Sequence, residues 1–231
     1  MTKLLKMTIK FMVSLALLWL SLMLLIIGIR LCLPLRVSAD VIFSGLAFIG
    51  GLILFGKQKF APIYIFGHEL THWIVAKMFL RKTGRFRIGL KKGFVEVAGT
   101  NVWITLAPYI VPFYLMIVIG AFGLSQLFVY PSPPWATMAF LFCSSLAYAY
   151  HCSLTMYAIG LSQSDLKMYG EFFSVSLIIA GNVLFLVLAL LMCNGQWRRA
   201  GDLFYWLCSW QGDKLRSLWL SGRSMIGTIS K

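Results

Sequence analysis

Three ionisable side chains fall within five residues in Phe66-Gly67-His68-Glu69-Leu70-Thr71-His72-Trp73. On a helix, positions i and i+4 share a face, so His68 and His72 can aim two imidazole nitrogens at one metal ion. Glu69 then stands beside that ion's open position. This spacing serves metal-assisted hydrolysis, in which two imidazoles ligate and a carboxylate acts as base. The chain holds only three histidines, and composition alone would place the pattern in roughly one such sequence in two thousand.

The element that must carry these residues is an apolar run from Ala61 to Leu80, long enough to cross a bilayer as a helix. Polar side chains on a membrane helix can simply pair with their neighbours. Three ionisable groups in hydrocarbon are nonetheless expensive, and a cation is the natural compensating partner.

Composition sets the solvent. The 231 residues are 60% hydrophobic and 12% charged, with a mean hydropathy of +0.84, far from a soluble domain. The fold expected is an all-α polytopic membrane protein with about six transmembrane helices, near 11–29, 40–56, 61–80, 102–124, 135–161 and 172–193. It forms a single integral membrane domain, multi-pass in a cell or inner membrane. Its catalytic core spans about 61–193, with 1–60 as accessory N-terminal spans and 194–231 as an interfacial tail. A net charge of +14 suggests nucleic acid only if it gathers on a soluble face with stacking aromatics. Here the charges lie between apolar runs, which places them at lipid headgroups and leaves no nucleic-acid partner. Basic residues divide almost evenly between the two sides of a six-span arrangement, so their count does not orient it.

The start reads as an uncleaved first span, because the apolar part after Met1–Lys10 exceeds a signal core and no small-x-small site follows. The 40–56 run is short and carries Gly45, Gly50, Gly51 and Gly56, which fits a re-entrant segment or close packing on a neighbour. Residues 81–97 alternate charged and apolar on both sides of Lys91-Lys92-Gly93, predicting a short β-hairpin at the membrane surface. Its six basic residues fit a topogenic, lipid-binding loop, and its edge also fits a strand that pairs with substrate. Pro108 and Pro112 are expected to kink the fourth span. The tail, with Trp197, Phe204, Trp206, Trp210 and Trp219 among basic residues, favours the interface. The five cysteines are odd in number and scattered, which predicts free thiols.

A catalytic zinc needs a third protein ligand, and Asp40, Glu96, His151, Asp165 and Glu171 are the candidates. Asp165 follows a Gly break at the end of a span. His151 would lie deeper by about 15 Å at 1.5 Å per helical residue, so only one of the two should reach.

Between Pro62 and Asn182 the chain resembles the site-2-protease family, zinc metalloproteases that cut substrates within or beside the membrane. The resemblance rests on His68-Glu69-Leu70-Thr71-His72 in a span and the β-prone loop after it. It rests also on Gly99-Thr100-Asn101 with Leu106-Ala107-Pro108 in the next span, and on a late carboxylate. It implies one zinc per chain on His68, His72 and Asp165, with Glu69 as base. It further implies a membrane-protein or peptide substrate and a site facing the cytosol. The family's late motif is Leu-Asp-Gly after Asn-x-x-Pro, whereas this chain has Gln163-Ser164-Asp165-Leu166. It resembles a small, divergent member without a PDZ domain. His151 is then a second-shell or structural residue, and Asn101 and Asn182 either steady a substrate backbone or lock helix to helix. The rival reading is a non-proteolytic membrane scaffold or binding protein, or a metal transporter. Ligation alone gives either no use for Glu69.

Overall fold

Prolines, glycines and charges cut the apolar sequence into helices at the expected places. The computed structural model describes residues 3–32, 39–58, 60–90, 92–129, 132–161, 163–193 and 209. Eight helices and one hairpin follow in order: α1 (Lys3–Cys32), α2 (Ala39–Lys57), α3 (Ala61–Met78), β1 (Thr83–Ile88), β2 (Gly93–Val97), α4 (Val102–Ile110), α5 (Phe113–Ser125), α6 (Pro134–Gly160), α7 (Ser164–Tyr169) and α8 (Glu171–Cys193). The tail residues Trp197, Phe204, Trp206, Trp210 and Trp219 lie outside the described residues.

Among the described residues, α1, α2 and α8 are long and apolar enough to cross a membrane, and the bent α4–α5 pair makes a fourth if it counts as one span. This is consistent with a membrane protein. The same solvent explains the surface: Ile42, Leu46, Ile49 and Ile53 form one face of α2 and are each more than half exposed. In water such a stripe would aggregate, whereas hydrocarbon accepts it. Where the two other spans are expected, α3 and α6 form as helices, but their polar side chains lower their mean hydropathy and neither is apolar enough to count among the candidate spans.

The expected kink falls at one proline of the two. α4 and α5 meet at 71°. The break comes at Val111-Pro112, where Pro112 has no N–H to continue the ladder and caps α5 instead. Pro108 stays inside α4.

Packing surrounds α3 with what it needs. α1 lies along α8, α2 along α6, and α5 against α6, while α4 and the hairpin cover α3. The hairpin is antiparallel, pairing Phe86 with Val95, Arg87 with Phe94 and Ile88 with Gly93, with an irregularity between Thr83 and Phe86. Arg81, Arg85, Arg87 and Lys92 on it are exposed. Beneath the site is a buried cluster of Leu106, Tyr109, Ala158, Leu166 and Ile178, which ties α4, α6, α7 and α8 together. Cys143 and Cys152 are free thiols, as expected.

The glycines of α2 divide by environment. A Cβ at Gly51 would stand 2.7 Å from the Ala149 Cβ on α6, while one at Gly45, Gly50 or Gly56 would meet nothing within 4 Å. Close packing through Gly51 is therefore what this segment uses. Gly51→Val should destabilise the bundle by about 1–3 kcal/mol through overpacking, and Gly50→Val should stay within about 0.5 kcal/mol of the unsubstituted protein. Denaturant-induced unfolding in micelles measures both.

Candidate metal centre

Helix α3 tolerates Pro62 because a first-turn residue needs no N–H partner. From there the 3.6-residue repeat stacks His72 over His68. Their rings stand 4.8 Å apart at 82°, and their Nε2 atoms are 3.2 Å from one another.

Asp165 comes from the first turn of α7. The short helix is anchored by its next residue: Leu166 is fully buried in the core cluster, and its carbonyl accepts the Ser174 hydroxyl at 2.9 Å. With Leu166 pinned, the preceding carboxylate turns to the histidines. Its Oδ2 lies 3.6 Å from Nε2 of His68 and 3.6 Å from Nε2 of His72. Burial works to raise the pKa of this carboxyl, but hydrogen bonding and charge from His68 and His72 outweigh it and hold the group well below the usual carboxylate range.

The three atoms form a triangle whose centre is about 2.0 Å from each corner, the length of a bond from nitrogen or oxygen to a small divalent ion such as zinc. Two imidazoles and a carboxylate are a borderline donor set that such an ion accepts. The residues present therefore fit a metal, and His68, His72 and Asp165 are the group that can hold it.

The protonation of His72 is settled by its other nitrogen. Nδ1 lies 2.7 Å from the carbonyl oxygen of Ile104. A carbonyl can only accept, so Nδ1 carries the proton and Nε2 presents its lone pair to the triangle. That carbonyl is available because Pro108, four residues on, has no N–H to claim it in the helix. Asn101 holds the start of the same turn, its Oδ1 accepting from the Ile104 N–H at 2.8 Å. It is the cap of α4, and this is the role its side chain plays.

Glu69 faces the same cavity. The cavity is about 440 Å³ and is lined by His68, Glu69, His72, Thr100, Thr105, Gln163, Asp165, Met168 and the β2 residues Gly93, Phe94, Val95 and Val97. Strand β2 can lie this close only because Gly93 has no side chain: a Cβ there would stand 2.6 Å from Ile65 Cγ2 and 2.8 Å from Glu69 Cγ.

The remaining expected residues fall elsewhere. His151 lies half-buried on α6 outside the triangle, with its Nε2 enclosed and its ring stacked on Tyr148 at 6.3 Å. Asn182 donates to the carbonyls of Tyr109 and Ile178 at 2.8 and 2.9 Å, which locks α8 to α4. Asp40 and Glu171 are exposed, and Glu96 accepts from the Arg85 N–H at 3.0 Å on the hairpin.

Two residues that matter here carry no motif in the sequence. The Tyr109 hydroxyl stands 2.6 Å from Gln163 Oε1 and 3.0 Å from Asp165 Oδ2, and the Tyr109 ring meets His68 edge-on at 5.1 Å. Tyr109 sits one residue after Pro108, and Gln163 two before Asp165. Nearness to those positions was the only signal available.

Pro108→Ala should restore a helical N–H that competes for the Ile104 carbonyl. Zinc affinity is then expected to fall about tenfold, although alanine is the better helix former by about 3 kcal/mol. Tyr109→Phe frees the Asp165 carboxylate and should weaken zinc by about ten- to a hundredfold. Competition against a chelator of known affinity reads both. No protein-family model, curated protein or solved structure matches this chain.

Proposed function

We propose that the chain is an intramembrane zinc metalloprotease of the site-2-protease kind, hydrolysing peptide bonds of membrane-embedded or membrane-adjacent substrates. The observation that carries this reading is one cavity holding a three-donor triangle together with Glu69, the side chain that ligation leaves unused. In this reading α3 and α6 also cross the membrane, which makes six spans with α4–α5 counted as one.

His68, His72 and Asp165 hold the ion. A zinc ion held there would supply Lewis acidity, lowering the pKa of a bound water and polarising a peptide carbonyl. Glu69, half-buried beside the triangle, accepts the proton of the attacking water and returns it to the leaving amine nitrogen. Phe94, Val95, Val97 and Ile104 make part of the wall apolar.

The substrate must arrive extended. A membrane helix hides its peptide bonds within its own ladder, so it has to unwind before any carbonyl can reach the triangle. Strand β2 runs along the cavity, and its backbone suits a neighbour in extended conformation. Substrates with helix-breaking residues near the cut are expected to be preferred.

Glu69→Gln decides between hydrolysis and binding. The variant should keep its zinc and lose about 10²–10⁴-fold in the cleavage rate of a membrane peptide carrying a Gly or Pro break. Cleavage undiminished in Glu69→Gln would sink the proposal. Zinc-dependent capture or transport undiminished by the change, with no cleavage by either protein, would favour the scaffold or transporter reading instead.

A further inference from the structure

His151, whose ring nitrogen Nε2 is buried, is a titratable group that the scheme above does not use, and it shares a cavity with His68 on the side away from the triangle. A second cavity, of about 30 Å³, lies there, with His68, Gly67, Tyr114, Tyr150, His151 and Thr155 in its wall. Two buried ring nitrogens in that wall, Nδ1 of His68 and Nε2 of His151, have no hydrogen-bond partner within the protein. Of the hydroxyls in that wall, Tyr114 donates to Ile63, Tyr150 to Phe60 at 3.2 Å and Thr71 to Gly67 at 2.7 Å, while the Tyr64 hydroxyl, like the two ring nitrogens, is buried with no hydrogen-bond partner within the protein.

The chemistry of the site fixes what His68 needs. An imidazole that ligates through Nε2 carries its proton on Nδ1, and that N–H seeks an acceptor, as His72 finds one in Ile104. No carbonyl plays that part for His68. The cavity is large enough for one or two waters, and a buried water is stable where two or more polar groups surround it. A water there would accept from His68 Nδ1–H and donate onward to the lone pair that His151 offers at Nε2 when its proton is on Nδ1.

We infer that the small cavity behind His68 holds ordered water that joins His68 Nδ1 to His151 Nε2, which makes His151 a positioning residue for the metal ligand His68. This rests on the reading of His68, His72 and Asp165 as a metal site. A merely structural His151, packed on Tyr148, would leave the metal untouched.

The full-length protein in micelles tests it, with zinc affinity from chelator competition and the visible spectrum of the Co²⁺-loaded form as readouts. His151→Phe should weaken zinc about tenfold or more and shift the Co²⁺ bands. His151→Gln, whose amide can still accept from water, should stay within about threefold of the unsubstituted chain. The metal-free melting temperatures of the two variants should agree. Where His151→Phe fails to fold, Thr155→Leu displaces the water with an apolar side chain and should give the same loss. Zinc affinity and Co²⁺ bands indifferent to His151→Phe, or to Thr155→Leu, overturn the inference, as does an equal loss in His151→Gln and His151→Phe. Failure of the unsubstituted chain to bind zinc at all overturns the metal-site reading itself and this inference with it.

Discussion

The contact on which the centre depends is made between a ring nitrogen and a backbone carbonyl that a proline has left free. Inside an α-helix every carbonyl is claimed by the N–H four residues later, so a side chain that wants one must compete. Pro108 removes that competitor for Ile104 and clears its carbonyl for Nδ1 of His72, 2.7 Å away. The cost is a broken ladder in α4, and the return is a histidine with one tautomer and one orientation. Asn101, which caps the same turn, keeps the donor side of α4 intact while its acceptor side is opened.

A polar centre in an apolar bundle depends on the groups packed around it. Each ligand is fixed by its immediate neighbours. His72 leans on α4. Asp165 follows from Leu166, which is sealed into the core between Leu106, Tyr109, Ala158 and Ile178. His68 is boxed by aromatic rings, Tyr64 at 5.4 Å and Tyr109 at 5.1 Å. Tyr109 bears on all of this at once: its ring touches His68, its hydroxyl reaches Gln163 and Asp165, and its carbonyl accepts from Asn182 on α8. A helix–helix lock and a ligand-orienting contact thus pass through one residue.

How much of this could be read in advance follows from the range of each interaction. His68 and His72 were legible because helical period alone sets their relation. The hairpin was legible because alternation and a Lys-Lys-Gly turn are local signals. Asp165 could be placed only beside His151 as an alternative from the residues themselves, since its approach to α3 depends on how α7 docks, which is tertiary. The bend was assigned to Pro108 and Pro112 together. Position in the helix shows why they differ: Pro112 starts a new helix, whereas Pro108 lies in the last turns of α4 and the Ile104 carbonyl it leaves free is used by α3. Asn101 was weighed as a substrate or interhelical residue, and capping won because its position just before α4 leaves the Ile104 N–H to be satisfied. For α2, four glycines looked alike in sequence, and only the neighbour across from Gly51 distinguishes it.

The hairpin joins these constraints to function. A two-stranded ribbon has little stability of its own, so it must borrow a surface, and it borrows α3, the helix that carries both histidines. Gly93 makes the contact tight enough that β2 becomes a wall of the cavity rather than a loop above it. In the proposed reaction an unwound peptide would have lost its own hydrogen bonds, and the backbone of β2 along the cavity would offer it a replacement. On the proposed reading, a preference for unwound segments would follow from backbone pairing along β2 and would need no recognition of particular side chains.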